Sequence, residues 1–168
     1  YAVANTYTIT ITTVGDLEFS ATDNAITRTL ATVVTEWGSR LIKKLSFEQF
    51  SNITFNLSGA TYNIPNFQVG ASLHNCFANC VNFNTNLNDW DVTNVTTASG
   101  IFAFATNFNN GSTTDDGANA LTWGDKTSGF VTINNIFRNA TKFNQDVSGW
   151  NLSGCTNAAQ AFDTASIF

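Results

Sequence analysis

The sequence predicts a repeat α/β solenoid, with one short strand and one short helix per unit of about 25 residues, the strands in a parallel sheet and a β-rich segment ahead of them. The first observation is that "FANCVNFNTNLNDWDVTNVTTASGIF" (77–102) and "FRNATKFNQDVSGWNLSGCTNAAQAF" (137–162) share one skeleton. Phe77 to Phe102 and Phe137 to Phe162 both span 25 residues, with Phe-Asn six after the first Phe, Trp thirteen after and Val95 or Cys155 eighteen after. The second is a middle copy that starts at Phe102, repeats Ala105 and Phe108-Asn109, and reaches Phe137 only after 35 residues. The third is strict alternation in "NTYTITITT" (5–13), where Tyr7, Ile9 and Ile11 interleave with threonines, the period of a β-strand.

"LEFSA" and "RTLATVVTEW" lean towards strand, while "RLIKKLSFEQF" (40–50) mixes helical residues with short apolar clusters and opens the array as either element. A degenerate copy is read ahead of the clear ones, with Phe55-Asn56 in the Phe-Asn place. Within a unit, Trp90 and Val92 (Trp150 and Leu152) point to one face of a short strand, with Asp89, Asp91 and Thr93 on the other. The stretches "NVTTASGIFAFA" and "GCTNAAQAFDTA" space small and apolar residues by three or four, as a short helix would. One strand and one helix in such a length is the economy of a leucine-rich-repeat-like unit.

Ten residues are inserted in the middle copy, eight between Phe108 and Trp123 and two between Trp123 and Phe130. "NNGSTTDDGANAL" has the composition of a surface loop. A fourth copy begins at Phe162 and stops at Phe168, so the chain reads as a fragment of a longer polypeptide.

The repeat register assigns the core: Phe77, Cys80, Phe83, Asn84, Trp90, Phe102, Phe108, Asn109, Trp123, Phe137, Phe143, Asn144, Trp150 and Phe162. The asparagines after Phe are expected to form a ladder, each bonding the backbone of a turn in the next unit. "HNCFANC" places His74, Cys76 and Cys80 together, but the register puts Cys76 at the place of Ile101 and Ile136, and Cys80 at that of Ala105 and Ala140. Both thiols and the histidine are therefore expected to be buried, and no fourth ligand completes a metal site. Asp115, Asp116 and Asp125 match no calcium-loop spacing. The tryptophans are read as core rather than as a sugar-stacking platform.

Only 11% of the residues are charged, the net charge is -5 and Lys and Arg number 7, so no basic stripe exists to neutralise a phosphate backbone. Nucleic acid is not an expected partner. Asn, Thr and Ser must cover the surface, which suits an extracellular, cell or virion surface. No apolar run approaches the roughly 18 residues of a membrane helix, and neither a catalytic motif nor a cofactor motif is present.

"FRNATKFNQDVSGWNLSGCTNAAQAF" resembles the surface-protein repeat "MFxxATxFNQDxSxWDVSNVTNMxxMF" of mycoplasma lipoproteins, also found in bacterial, algal and large-virus or phage proteins and related to BspA-type leucine-rich repeats. The resemblance covers residues 74–168, with Ala98, Ile101, Ala158 and Ala161 at the methionine positions. "ANTYTITITTVG" is similar to the closing strand of the small immunoglobulin-like domain that often precedes such repeats. The resemblance thus implies the end of a β-sandwich-like domain and entry to the array in 1–50, and the array itself in 51–168, with its insertion near 109–122. It implies a surface and interaction role and no enzymatic activity. The expected function is a non-catalytic recognition or adhesion module. It would bind a protein or glycan through Asp89, Asp91, Thr93, Asn151 and Ser153, and through the loop from Asn110 to Ala120, which bears Asp115 and Asp116. The alternative is a structural or decoration protein of a virus or phage particle, whose partners are other subunits.

Overall fold

The computed structural model describes residues 17–20, 32–61, 63–114 and 117–168; the alternating segment 5–13, Asp115 and Asp116 lie outside the described residues. Among the described residues six strands are formed: β1 (Leu17–Ser20), β2 (Thr32–Val34), β3 (Leu41–Ser46), β4 (Ile53–Phe55), β5 (Asn66–Ser72) and β6 (Val95–Thr97). One sheet runs β1-β3-β5-β6 and a second pairs β2 with β4, and every pairing is parallel. "RLIKKLSFEQF" therefore opens as a strand, burying Ile42 and Leu45. The β3–β5 pairing joins strands on either side of residue 50, with a register shift between Ile42 and Lys44.

Beyond the strands, pairing between units continues through backbone hydrogen bonds at alternate residues. Leu73, Asn75, Phe77 and Asn79 donate N–H to the carbonyls of Thr97, Ser99, Ile101 and Ala103. Ala98, Gly100, Phe102 and Phe104 do the same to Thr132, Asn134, Ile136 and Arg138, and Ile133, Asn135, Phe137 and Asn139 to Asn157, Ala159, Ala161 and Asp163. The ladder keeps step through the inserted unit, so the insertion lies outside the paired segment.

The helices expected over 94–105 and 154–165 do not form. Residues two before and two after each leading Phe are left-handed: Asn75, Gly100, Asn135 and Gln160 in one column, and Asn79, Phe104, Asn139 and Thr164 in the other. A left-handed residue every fourth position breaks a right-handed helix, and its N–H is turned out to the neighbouring unit instead of back along the chain. What remains is a run of tight turns, such as Cys76 to Leu73, Ala78 to Asn75 and Cys80 to Phe77. The expected strand at Trp90–Val92 is irregular backbone between two turns, and the extended segment comes later, at β6 and at the single parallel bridges Thr97–Thr132 and Thr132–Asn157. Among the described residues the helical element is a 3-10 turn at Gly124–Gly129, which absorbs the two-residue part of the insertion.

The core is a double column of phenylalanines. Phe77, Phe102, Phe137 and Phe162 stack with centroids 5.9, 5.4 and 5.3 Å apart, and Phe83, Phe108, Phe143 and Phe168 at 5.8, 5.8 and 5.6 Å. The two columns touch within each unit, at 3.8 Å between Phe102 and Phe108. Phe77, Phe83, Phe102, Phe108, Phe137 and Phe143 are fully buried, each contributing about 2 kcal/mol or more with offset stacking in addition, while Phe162 is half-buried and Phe168 exposed. Trp123 stacks on Trp150 at 5.4 Å, and their indole N–H groups donate to the carbonyls of Leu87 and Leu121 in the preceding unit.

The earliest unit is offset from its sequence reading. Phe47 stacks on Phe77 at 5.9 Å, Phe50 N–H bonds Phe47 C=O as Cys80 bonds Phe77, and Ile53 N–H bonds Phe50 C=O as Phe83 bonds Cys80. Gln49 is left-handed like Asn79. Ile53, not Phe55, thus holds the place of Phe83, and Phe55 packs flat on Trp90 instead. The alignment missed this because an isoleucine replaces the marker Phe.

Candidate recognition surface

The outward residues of the unit are set by the turn that follows each Trp. Trp90 and Val92 are buried while Asp89, Asp91 and Thr93 are exposed, so the two faces separate as expected although the segment is not a strand. Asp91 Oδ1 accepts from Thr93 N–H at 3.1 Å and from the Thr93 hydroxyl at 2.6 Å, closing an Asx turn. The Thr93 hydroxyl and then its N–H hold the Asp91 carboxyl below the usual carboxylate range. Two clear units later, Asn151 Oδ1 accepts from Ser153 N–H at 3.2 Å in the same turn. Asn151 also reaches back to Asp125 Oδ1 of the inserted unit at 3.4 Å, so Asn151 is half-buried and Ser153 exposed.

Asp91 further lines a cleft of about 440 Å³ with Asn94, Asn66, Asn63 and Ser39, an uncharged polar wall around one carboxylate. Asn94 is fixed there by its amide, which donates to Phe67 C=O at 2.9 Å.

The insertion is anchored by Asn110, which the sequence reading places at the start of the exposed binding loop and the structure buries instead. Asn110 is fully buried; its amide N–H₂ donates to the carbonyls of Asn119 and Ala120, and its Oδ1 accepts from Leu87 N–H at 2.9 Å. Gln145 is a residue that sequence reasoning did not select: Nε2 donates to Asn109 Oδ1 at 2.8 Å and Oε1 accepts from Asn119 N–H at 2.7 Å. The signal was the residue after each Phe-Asn pair, which is Thr85, Asn110 or Gln145, polar in every unit.

The Phe-Asn amides form a ladder. Asn84 Oδ1 accepts from the N–H groups of Asn109 and Gly111, and Asn109 Oδ1 accepts from Asn144 N–H at 2.9 Å. Asn84 and Asn144 are half-buried, Asn109 buried.

Cys76 and Cys80 are buried as expected, but His74 is exposed, because it lies in the tight turn that the Cys76 N–H to Leu73 C=O bond closes, with Leu73 and Cys76 turned inward on either side. Burial pushes the Cys76 thiol well up and the Cys80 thiol to about 12, and Cys80 Sγ donates to Phe47 C=O. The three residues of "HNCFANC" therefore do not converge, and no group of three or more His, Cys, Asp or Glu side chains comes together among the described residues. Trp90 and Trp123 are fully enclosed and offer no ring face to a sugar.

The family model described as "Mycoplasma protein of unknown function, DUF285" matches residues 19–123 and 117–168. The chain belongs to the DUF285 family. No curated protein and no solved structure matches it. The DUF285 match begins within β1, so β1 to β4 fall inside the family segment together with the phenylalanine columns. No helix among the described residues of this DUF285 chain is long and apolar enough to cross a membrane.

Proposed function

We propose that this DUF285 chain is a non-catalytic recognition or adhesion module, displayed on a cell or particle surface, with a BspA-like, leucine-rich-repeat-like solenoid as its scaffold. The observation that carries the reading is a pair of pre-set, uncharged or singly charged turns on units joined by backbone hydrogen bonds. Asp91 with Thr93 and Asn151 with Ser153 stand at matching register, and Asp91 opens into a polar cleft. Groups whose geometry is fixed before contact lose little entropy when they bind, which is what a recognition surface needs. Extended faces of this kind are the binding surfaces of stacked repeats.

The test is where the chain sits and in what ratio. Quantitative mass spectrometry of intact source material, with protease shaving of its surface, should release peptides of this chain at low and variable copy number. Fixed stoichiometry with a major particle subunit, protected from the protease, would overturn the reading in favour of a structural component.

A further inference from the structure

The left-handed column after the leading Phe contains Asn79, Asn139 and Thr164, and in its midst Phe104 at a φ of 59°. Asparagine adopts this region readily and a bulky aromatic does not, so the phenylalanine is held there against its preference. It does not serve the core either, since the residue is 40% exposed.

Around it lies a groove of about 230 Å³ lined by Glu48, Asn75, Asn79, Asn135 and Arg138, sharing no residue with the Asp91 cleft. The Arg138 guanidinium carbon sits 5.7 Å from the Phe104 ring centroid, and its Nε is an ion-pair partner of Asp163 Oδ2 at 3.2 Å without hydrogen-bond alignment. Asn135 Oδ1 is buried and accepts no hydrogen bond. Its column neighbour is Gly100, flanked on the far side by Asn75, whose Oδ1 a Cβ on Gly100 would strike. The glycine leaves the column without a side chain between the two amides.

Glu48, Arg138 and the asparagine amides give the groove a rim that calls for both donors and acceptors, and the exposed Phe104 ring calls for an apolar face. A pyranose ring meets both, because its hydroxyls both donate and accept while one ring face presents C–H groups. Glu48 in the lining, and Asp163 paired with Arg138, disfavour a carboxylated sugar. The volume suits one ring rather than an extended ligand. We infer that this groove is a subsite for a single neutral pyranose of a glycan, with Phe104 as its stacking platform and Asn135 among the amides that line it.

The inference deepens the recognition reading and rests on it. Saturation-transfer NMR with glucose, galactose, mannose, N-acetylglucosamine and N-acetylgalactosamine is the test, run on the wild-type chain, on Phe104→Asn and on Asn135→Gly. Both substitutions suit the left-handed backbone, and Phe104→Asn copies Asn79 and Asn139, so the variants are expected to fold. One neutral sugar should show transfer strongest on its apolar ring face, and its affinity should fall roughly tenfold in each variant while the melting temperature of Phe104→Asn does not fall. No transfer to any neutral sugar, equal transfer in the wild type and Phe104→Asn, or preference for galacturonate would overturn the inference. The two readings fail separately. A surface-exposed chain that binds none of these sugars loses the groove alone, and a sugar-binding chain in fixed particle stoichiometry loses the recognition reading alone.

Discussion

Asn109 is where the amide ladder meets the insertion, and its replacement by alanine tests whether the ladder holds the units together. Its side chain is 2% exposed and makes three bonds: Oδ1 accepts from Asn144 N–H at 2.9 Å and Gln145 Nε2 at 2.8 Å, and Nδ2 donates to Thr114 C=O at 2.9 Å. Thr114 is exposed and recovers a bond to water after the substitution. Gln145 is 1% exposed and does not. A buried polar group left without its partner costs about 1 to 3 kcal/mol, so the amide of Gln145 and the half-buried N–H of Asn144 together put the loss for Asn109→Ala at about 3 kcal/mol. Against a total stability on the order of 5 to 15 kcal/mol this is easily measured. Urea denaturation followed by tryptophan fluorescence should show the midpoint falling with an unchanged slope. Asn84→Ala, at a half-buried rung, should cost roughly half as much. A loss below about 1 kcal/mol for Asn109→Ala, the range of ordinary surface changes, would refute the ladder as a source of stability.

Trp123→Ala should cost about 3 to 5 kcal/mol, whereas Trp150→Ala, at a half-buried ring, should cost roughly half that; equal losses in thermal melts would contradict the burial difference. Gly100→Ala places a Cβ on a left-handed residue and against the Asn75 amide, which can swing away, so the cost should be about 1 to 2 kcal/mol and mainly backbone; no change in denaturation midpoint would count against it. The buried thiols make the fold sensitive to alkali. Their folded pKa values are raised, so the unfolded chain releases protons from about pH 8.5 while the folded chain keeps them, and stability present below that pH is lost as pH rises towards the folded values. Melting temperatures between about pH 7 and about pH 10 should fall, and Cys80→Ala should flatten the fall; identical profiles would exclude Cys80 as a cause.

Much of the packing was legible because each marker is a large ring at a fixed interval. Phe77, Phe102 and Phe137 could be laid over one another, and the small residues around them followed by register. The local backbone was not legible, because helical spacing at 94–105 and turn spacing bury the same side chains. Only the conformations of Gly100 and Phe104 decide between them, and a phenylalanine gives no sign of being left-handed. The earliest unit was misplaced by two residues because Ile53 replaces the ring that anchors the others, and Phe55 offered a false one. His74 was assigned to the core by its neighbours, although the tight turn between Leu73 and Cys76 carries it outward. The surface turns were selected for the right side of the chain but the wrong reason: Asp91 and Asn151 point out because they cap turns, not because they alternate along a strand.

That distinction bears on where recognition chemistry can vary. Asp91 and Asn151 each accept a bond that closes their own turn, so changing either disturbs the backbone that presents it. The left-handed column after the leading Phe is different. Asn79, Phe104 and Asn139 hold φ values of 60°, 59° and 55°, and their N–H groups donate alike to Ala103, Arg138 and Asp163 whatever side chain they carry. The neighbouring units over-determine the conformation there, which is how an aromatic ring persists in a region it disfavours. A substitution in that column costs at most the local preference of one residue, about 1 to 2 kcal/mol, and leaves the ladder and the phenylalanine columns untouched. The backbone of one column thus holds the units together whether the position carries Gln49, Asn79, Phe104 or Asn139, and at Phe104 that freedom places an aromatic ring in the groove.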